Sequence, residues 1–145
     1  MTSKFNARRA LLVLTLCVLG YLLWPQERVK ISFEDSFCYL EDTTFILHWR
    51  HSVELQDWQE YYQLSSGNLF LSASYMQTFG GGTPSSGNVI EAPEGYVGLA
   101  SEVVLPSLHW IVSRNMQGKL ITSNGTWTIY NQVPDYTEIT IQPSR

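Results

Sequence analysis

The chain of 145 residues predicts an all-β fold, an antiparallel β-sandwich or barrel-like domain that follows an N-terminal transmembrane anchor. Three observations lead there. Short stretches of alternating apolar and polar residues recur from Val29 onward, and turn-forming residues separate them at close intervals. No stretch of the body repeats its apolar residues at the helical period. Residues 1–28 read as a signal-anchor segment and residues 29–145 as one periplasmic β domain.

The first element is apolar. Lys4, Arg8 and Arg9 precede an apolar run from Ala10 to Trp24, which Pro25-Gln26-Glu27-Arg28 ends. A run of about fifteen residues has the length of a signal-peptide core or a short membrane span. Val18-Leu19-Gly20 would serve as a small-x-small cleavage site and release a soluble periplasmic domain. That cut would leave Tyr21-Leu22-Leu23-Trp24 as an apolar new terminus, so the uncleaved single-pass anchor in a bacterial inner membrane is the expected form. The basic residues before the run place the N-terminus inside and the β domain outside, with Tyr21 and Trp24 toward the outer interface. Cys17 follows the bulky Leu16 in mid-run, which argues against lipidation. Cys38 is then the one cysteine of the exported part, has no internal disulfide partner and reads as a small hydrophobe in a strand.

The strands follow in order. Val29–Phe33 alternates. In the next, Phe45, Leu47, Trp49 and His51 share one face, with Ile46, His48, Arg50 and Ser52 on the other. Trp58–Leu64 is a third, Ser65-Ser66-Gly67-Asn68 a turn, and Leu69–Phe79 a long fourth. Gly80–Asn88 is a Gly/Ser/Thr/Pro loop, and order returns weakly through Val89–Gly98. Glu102–Leu105 and Leu108–Ser113 read as strands, and Met116-Gln117-Gly118 turns into Lys119–Thr122. Asn124-Gly125 predicts a two-residue hairpin turn with positive φ at both positions, leading into Thr126–Tyr130. The last strand is Thr137–Ile141.

Charge excludes some functions. From Ile31 onward four basic residues stand against twelve acidic ones, a net of −8. That field repels nucleic acid and anionic lipid surfaces alike.

The chemistry-bearing residues cluster in two places. His48, His51, Glu54, Glu60 and His109 are of metal-ligating type, but on a strand His48 and His51 point to opposite faces, so no metal is expected. Ser52 beside His51 has the residue types for acyl transfer, with Glu54 or Glu60 to orient the imidazole. Adjacent strand residues face apart, however, and no Gly-x-Ser-x-Gly elbow is present, so no catalytic residue and no cofactor are expected. The reading kept for His51 is structural: it pins the turn between two strands, with Glu60 as a partner for His51 or Arg50 across the hairpin. Gly80-Gly81-Gly82 can converge backbone N–H groups into an anion nest, with Thr83 adding a hydroxyl and Pro84 stiffening the exit. No helix or lysine of a phosphate loop follows it.

The joint spacing of His51-Ser52-Val53-Glu54, Glu60 and Phe79-Gly80-Gly81-Gly82-Thr83-Pro84 resembles the bacterial DUF1850 family, small proteins of unknown function. Gln56-Asp57-Trp58 departs from that family's usual stretch after the first motif. The resemblance carries His51, Ser52, Glu54, Glu60, Gly80, Gly81, Gly82 and Pro84 over as motif positions without roles. It implies a setting: a gene beside the fused membrane subunit of tripartite ATP-independent periplasmic (TRAP) transporters of the TAXI class. The expected function is therefore a non-enzymatic accessory subunit of a solute uptake system, bound to the permease or its periplasmic solute-binding protein. The alternative is a stand-alone periplasmic sensor of a small ligand or metal.

Overall fold

The computed structural model describes residues 2–22 and 26–144, with side chains described from Arg9 to Tyr21 and from Gln26 onward. The body is antiparallel β-sheet throughout, as its alternating pattern requires. Among the described residues one α-helix, α1 (Thr2–Leu22), precedes it. Its apolar side chains from Leu11 to Leu19 are exposed. Among the described residues no helix is long and apolar enough to cross a membrane. Trp24, expected at the outer interface, and Pro25, expected to break the run, lie outside the described residues.

Eleven strands follow: β1 (Arg28–Phe33), β2 (Ser36–Leu40), β3 (Thr44–Arg50), β4 (Asp57–Ser65), β5 (Asn68–Met76), β6 (Val89–Ile90), β7 (Val97–Leu105), β8 (Leu108–Ile111), β9 (Lys119–Thr122), β10 (Gly125–Trp127) and β11 (Glu138–Ser144). They form a four-stranded sheet in the order β2-β1-β11-β8 and a seven-stranded sheet in the order β10-β9-β3-β4-β5-β7-β6. The two sheets share one core. Val29, Ile31, Ile139 and Ile141 of the smaller sheet pack with Phe45, Leu47, Tyr62, Leu64, Leu69 and Leu120 of the larger. These residues recur at period two, which puts each set on one face of its strand. Burying such aliphatic side chains stabilises by about 1.5–3 kcal/mol apiece before conformational entropy is counted.

Register explains what lies opposite what. Phe45 pairs with Tyr62, Leu47 with Glu60 and Trp49 with Trp58. Directly opposed residues project to the same face, so the predicted inward set of β3 meets the inward set of β4. The β4–β5 register shifts where Ser72 of β5 is left over opposite Tyr61 and Tyr62, and the β5–β7 register shifts between Leu71 and Ala73, where β7 carries the extra residue.

Several local expectations change. The long fourth strand stops at Met76 rather than Phe79, and Val97–Leu105 is one strand, where the sequence predicts weak order through Gly98 and a strand only from Glu102. The hairpin after β9 is present, but Gly125 pairs with Thr122, so its two turn residues are Ser123 and Asn124. Of the predicted Asn124-Gly125 pair only Gly125 has positive φ, +138°. The cause is Asp42, whose carboxylate accepts from the Ser123 N–H at 2.8 Å, from the Ser123 hydroxyl and from the Asn124 amide. These bonds hold the turn one residue earlier than Asn-Gly chemistry would set it. The Thr126–Tyr130 strand is shorter than expected: Ile129–Asn131 forms a 3-10 turn that buries Ile129. Cys38 lies in β2 and packs against the core, and burial pushes its thiol pKa up.

Candidate functional site

β3 and β4 are joined by a turn at 51–56 that folds back on itself. His51 N–H donates to Gln56 O at 2.8 Å, Leu55 N–H to His51 O at 3.0 Å, and the Arg50 Nε–H to Leu55 O at 3.1 Å. Leu55 adopts φ +55° to close it, a conformation that a branched side chain rarely takes.

His51 is the pivot. It is 8% exposed, and its ring lies 5.6 Å from Trp49 and 5.3 Å from Trp58, which are themselves 5.2 Å apart. Its Nε2 is 2.8 Å from the Gly81 carbonyl oxygen. A carbonyl only accepts, so Nε2 carries a proton. On the other ring edge, Nδ1 faces the Val53 N–H at 3.3 Å and touches the Glu54 carboxylate. One buried imidazole thus joins the 51–56 turn to the glycine loop thirty residues later.

The glycines divide the work. A Cβ on Gly80 would stand 2.2 Å from Glu54 Oε1, so the carboxylate packs on bare backbone there. The Gly80 N–H donates to Thr83 Oγ1 at 2.8 Å, and the Thr83 N–H returns to Gly80 O at 3.1 Å, which closes a tight turn. Gly82 supplies φ +89° for it, whereas Gly81 has nothing within 4 Å of where a Cβ would stand. Ser52 and Pro84 are exposed loop positions.

The structure therefore brings His51, Glu54, Gly80 and Gly81 together, and leaves Glu60 apart. The expected Glu60 contact with His51 or Arg50 is not made. Arg50 pairs with Asp57 and Glu60 with Leu47, so the Trp49–Trp58 pair stands between Glu60 and the imidazole. Glu60 points inward and accepts from the Tyr62 hydroxyl at 2.9 Å. Burial pushes its carboxyl pKa up, against a smaller opposing effect of that hydrogen bond, and burial likewise pushes the Tyr62 phenol up. Ser74, opposite Glu60 on β5, is also buried.

The other histidines go elsewhere. His48 meets Asp57 at 3.5 Å on the outer face. His109 sits between Ser107 Oγ, 3.0 Å from Nε2, and Glu138 Oε1, 2.8 Å from Nδ1. No local pattern announces this relay, because Glu138 is 29 residues from His109 and the β8–β11 pairing brings them together. With side chains 59% and 57% exposed, the His109–Glu138 pair is solvated, which weakens its coupling. Among the described residues no three His, Cys, Asp or Glu side chains gather to hold a metal ion. An open groove of about 630 Å³ borders Glu34, Tyr136, Glu138 and Thr140, and neither His51 nor Gly81 lines it.

What the motif end displays is apolar. Val53 is 77% exposed, Leu55 52% and Phe79 64%. All three flank the His51–Gly81 junction in sequence, on loops whose backbones are bonded from within.

No curated protein and no solved structure matches the chain significantly. A family model, "Domain of unknown function (DUF1850)", matches residues 45–129, from β3 through the His51 turn and the glycine loop to the 3-10 turn. That match spans more than half of the sequence, and the chain belongs to the DUF1850 family.

Proposed function

We propose that this protein is a non-enzymatic accessory subunit of a TRAP-type, TAXI-class solute uptake transporter. It docks by its motif end on the periplasmic side of the permease or on the solute-binding protein. In this reading the two sheets form a β-sandwich in the periplasm, held to the inner membrane by the N-terminal segment with its basic start and apolar run. The transporter setting comes from the family resemblance. The docking role is supported by one observation: the bond from His51 Nε2 to Gly81 O, with its ring packed against two tryptophans, fixes two loops that hold Val53, Leu55 and Phe79 out in solvent. A prearranged surface loses little entropy on binding, and exposed apolar side chains supply the burial.

The test is co-purification of the full chain, tagged at its C-terminus, from native membranes in mild detergent. Stoichiometric recovery of a large permease or its binding protein, lost with Phe79→Asp at unchanged far-UV circular dichroism, is the expected result. Elution of the chain alone, with both transporter proteins present in the extract, would overturn the proposal.

A further inference from the structure

The apolar knobs of the motif end lie at the pole of the domain opposite the point where the N-terminal segment enters it. The entry is fixed by Glu27, whose carboxylate accepts from the Gly67 N–H at 3.2 Å in the β4–β5 turn. The motif turn is at the other end of the same strand, where Arg50 pairs with Asp57 and Gln77 N–H donates to Asp57 O. Nine residues of β4 separate the two turns, roughly 25 Å at about 3.3 Å per residue.

More than the motif is gathered at the far pole. Arg50 N–H donates to Met116 O, Met116 N–H to Ser113 O, and Arg114 pairs with Asp135, next to Tyr136. Among the described residues, four of the five non-glycine residues with positive φ lie on turns of this pole: Glu34, Leu55, Gln117 and Tyr136. Bulky residues in that region cost free energy, and such outliers concentrate at functional surfaces. Tyr136 is 84% exposed and joins Val53, Leu55 and Phe79 as a fourth apolar projection. Arg114 is ion-paired with Asp135, and exposed Glu34, Asp35 and Glu138 outnumber the half-buried Arg50 and Lys119, so the rim is acidic on balance.

We infer that the far pole, with Val53, Leu55, Phe79 and Tyr136, binds a soluble protein carrying apolar pockets within a basic rim, and not the membrane in which the N-terminal segment would sit. This rests on the docking reading above and narrows its partner. Whatever holds the N-terminal segment holds the domain at its other end, and separate rigid side chains fit pockets of a folded partner. The acidic rim repels anionic lipid and complements basic protein.

A photo-crosslinking residue placed at Phe79, at Tyr136, or at Ser66 of the opposite pole in the full chain tests this. Adducts from positions 79 and 136 with one soluble protein, and none from 66, are expected. That protein, purified and titrated against the full chain, should bind it, with Phe79→Asp weakening the affinity about ten-fold or more and Ser66→Asp leaving it unchanged. Added salt should weaken the complex. Adducts from 79 and 136 with lipid or with an integral membrane protein would overturn the choice of partner and leave docking intact. Adducts from none of the three positions would overturn the docking reading itself.

Discussion

The imidazole of His51 and the carbonyl of Gly81 are 2.8 Å apart across thirty residues of sequence, and that contact makes one surface of two loops. Replacing His51 with alanine removes the bond and empties the space beside the Trp49–Trp58 pair. The expected cost is about 2–4 kcal/mol, the sum of a cavity and a lost buried hydrogen bond. Urea denaturation measures it. Limited proteolysis should show cleavage at Gly80–Pro84 in the variant where the parent chain resists. A midpoint and cleavage pattern identical to the parent would mean that the bond holds nothing.

The three consecutive glycines should not respond alike. Gly81→Ala meets no atom within 4 Å, so stability should change by less than about 0.5 kcal/mol. Gly82→Ala puts a Cβ on a backbone at φ +89° and should cost about 1 kcal/mol. Gly80→Ala must push the Glu54 carboxylate off the loop, so its effect should largely vanish when Glu54 is already alanine, a coupling that a double-mutant cycle reads. Gly118→Ala is the severe control, because a Cβ there would stand 1.7 Å from the Trp110 ring. Thermal melts of the four variants give the order directly, and equal melting temperatures for Gly81→Ala and Gly118→Ala would contradict these contacts.

How much of this was legible in the sequence depends on the range of the interaction that decides it. The faces of β3 follow from alternation alone, and Phe45, Leu47 and His51 are buried on the side that pattern assigns. The motif spacing also sufficed for the family, because it runs along the chain. Partners across the fold were not legible. Glu60 as a partner for His51 or Arg50 depends on the hairpin register, and the six residues between β3 and β4 set it so that Glu60 faces Leu47. Asp42 overrides the Asn-Gly turn signal from 81 residues away. The relay from Ser107 through His109 to Glu138 depends on a β8–β11 pairing that no local pattern announces.

Glu60 should make the domain less stable as pH rises. Burial raises its folded pKa above the ordinary 4.5, so the folded state holds a proton that the unfolded chain has released. The corresponding stability is full below the ordinary value and is lost as pH rises from there through the raised value. Glu60→Gln keeps a neutral partner for the Tyr62 hydroxyl and removes the titration. It should raise the urea midpoint at pH 7 and flatten the decline that the parent shows above pH 4.5. Unchanged pH dependence in the glutamine variant would assign the decline to other groups.

Asp42 carries the opposite sign. Its hydrogen bonds, first that from the Ser123 hydroxyl, hold its pKa below the ordinary 3.8. Its contribution is present above 3.8 and is lost as pH falls through the lowered value. The group is exposed, so the effect is local rather than global. Asp42→Ala frees the Ser123 N–H and the Asn124 amide, and the β9–β10 hairpin should fray. Amide hydrogen exchange is the right measurement, since it reports local opening that leaves the melting temperature unmoved. Protection at residues 121–127 should fall several-fold in the alanine variant at neutral pH, while the β4–β5 amides keep theirs. Asp42→Asn retains one acceptor oxygen and should restore part of the protection. If the alanine variant instead kept full protection with Asn124 shifted to positive φ, the turn would have moved to Asn124-Gly125, and its own chemistry rather than Asp42 would be shown to govern the hairpin.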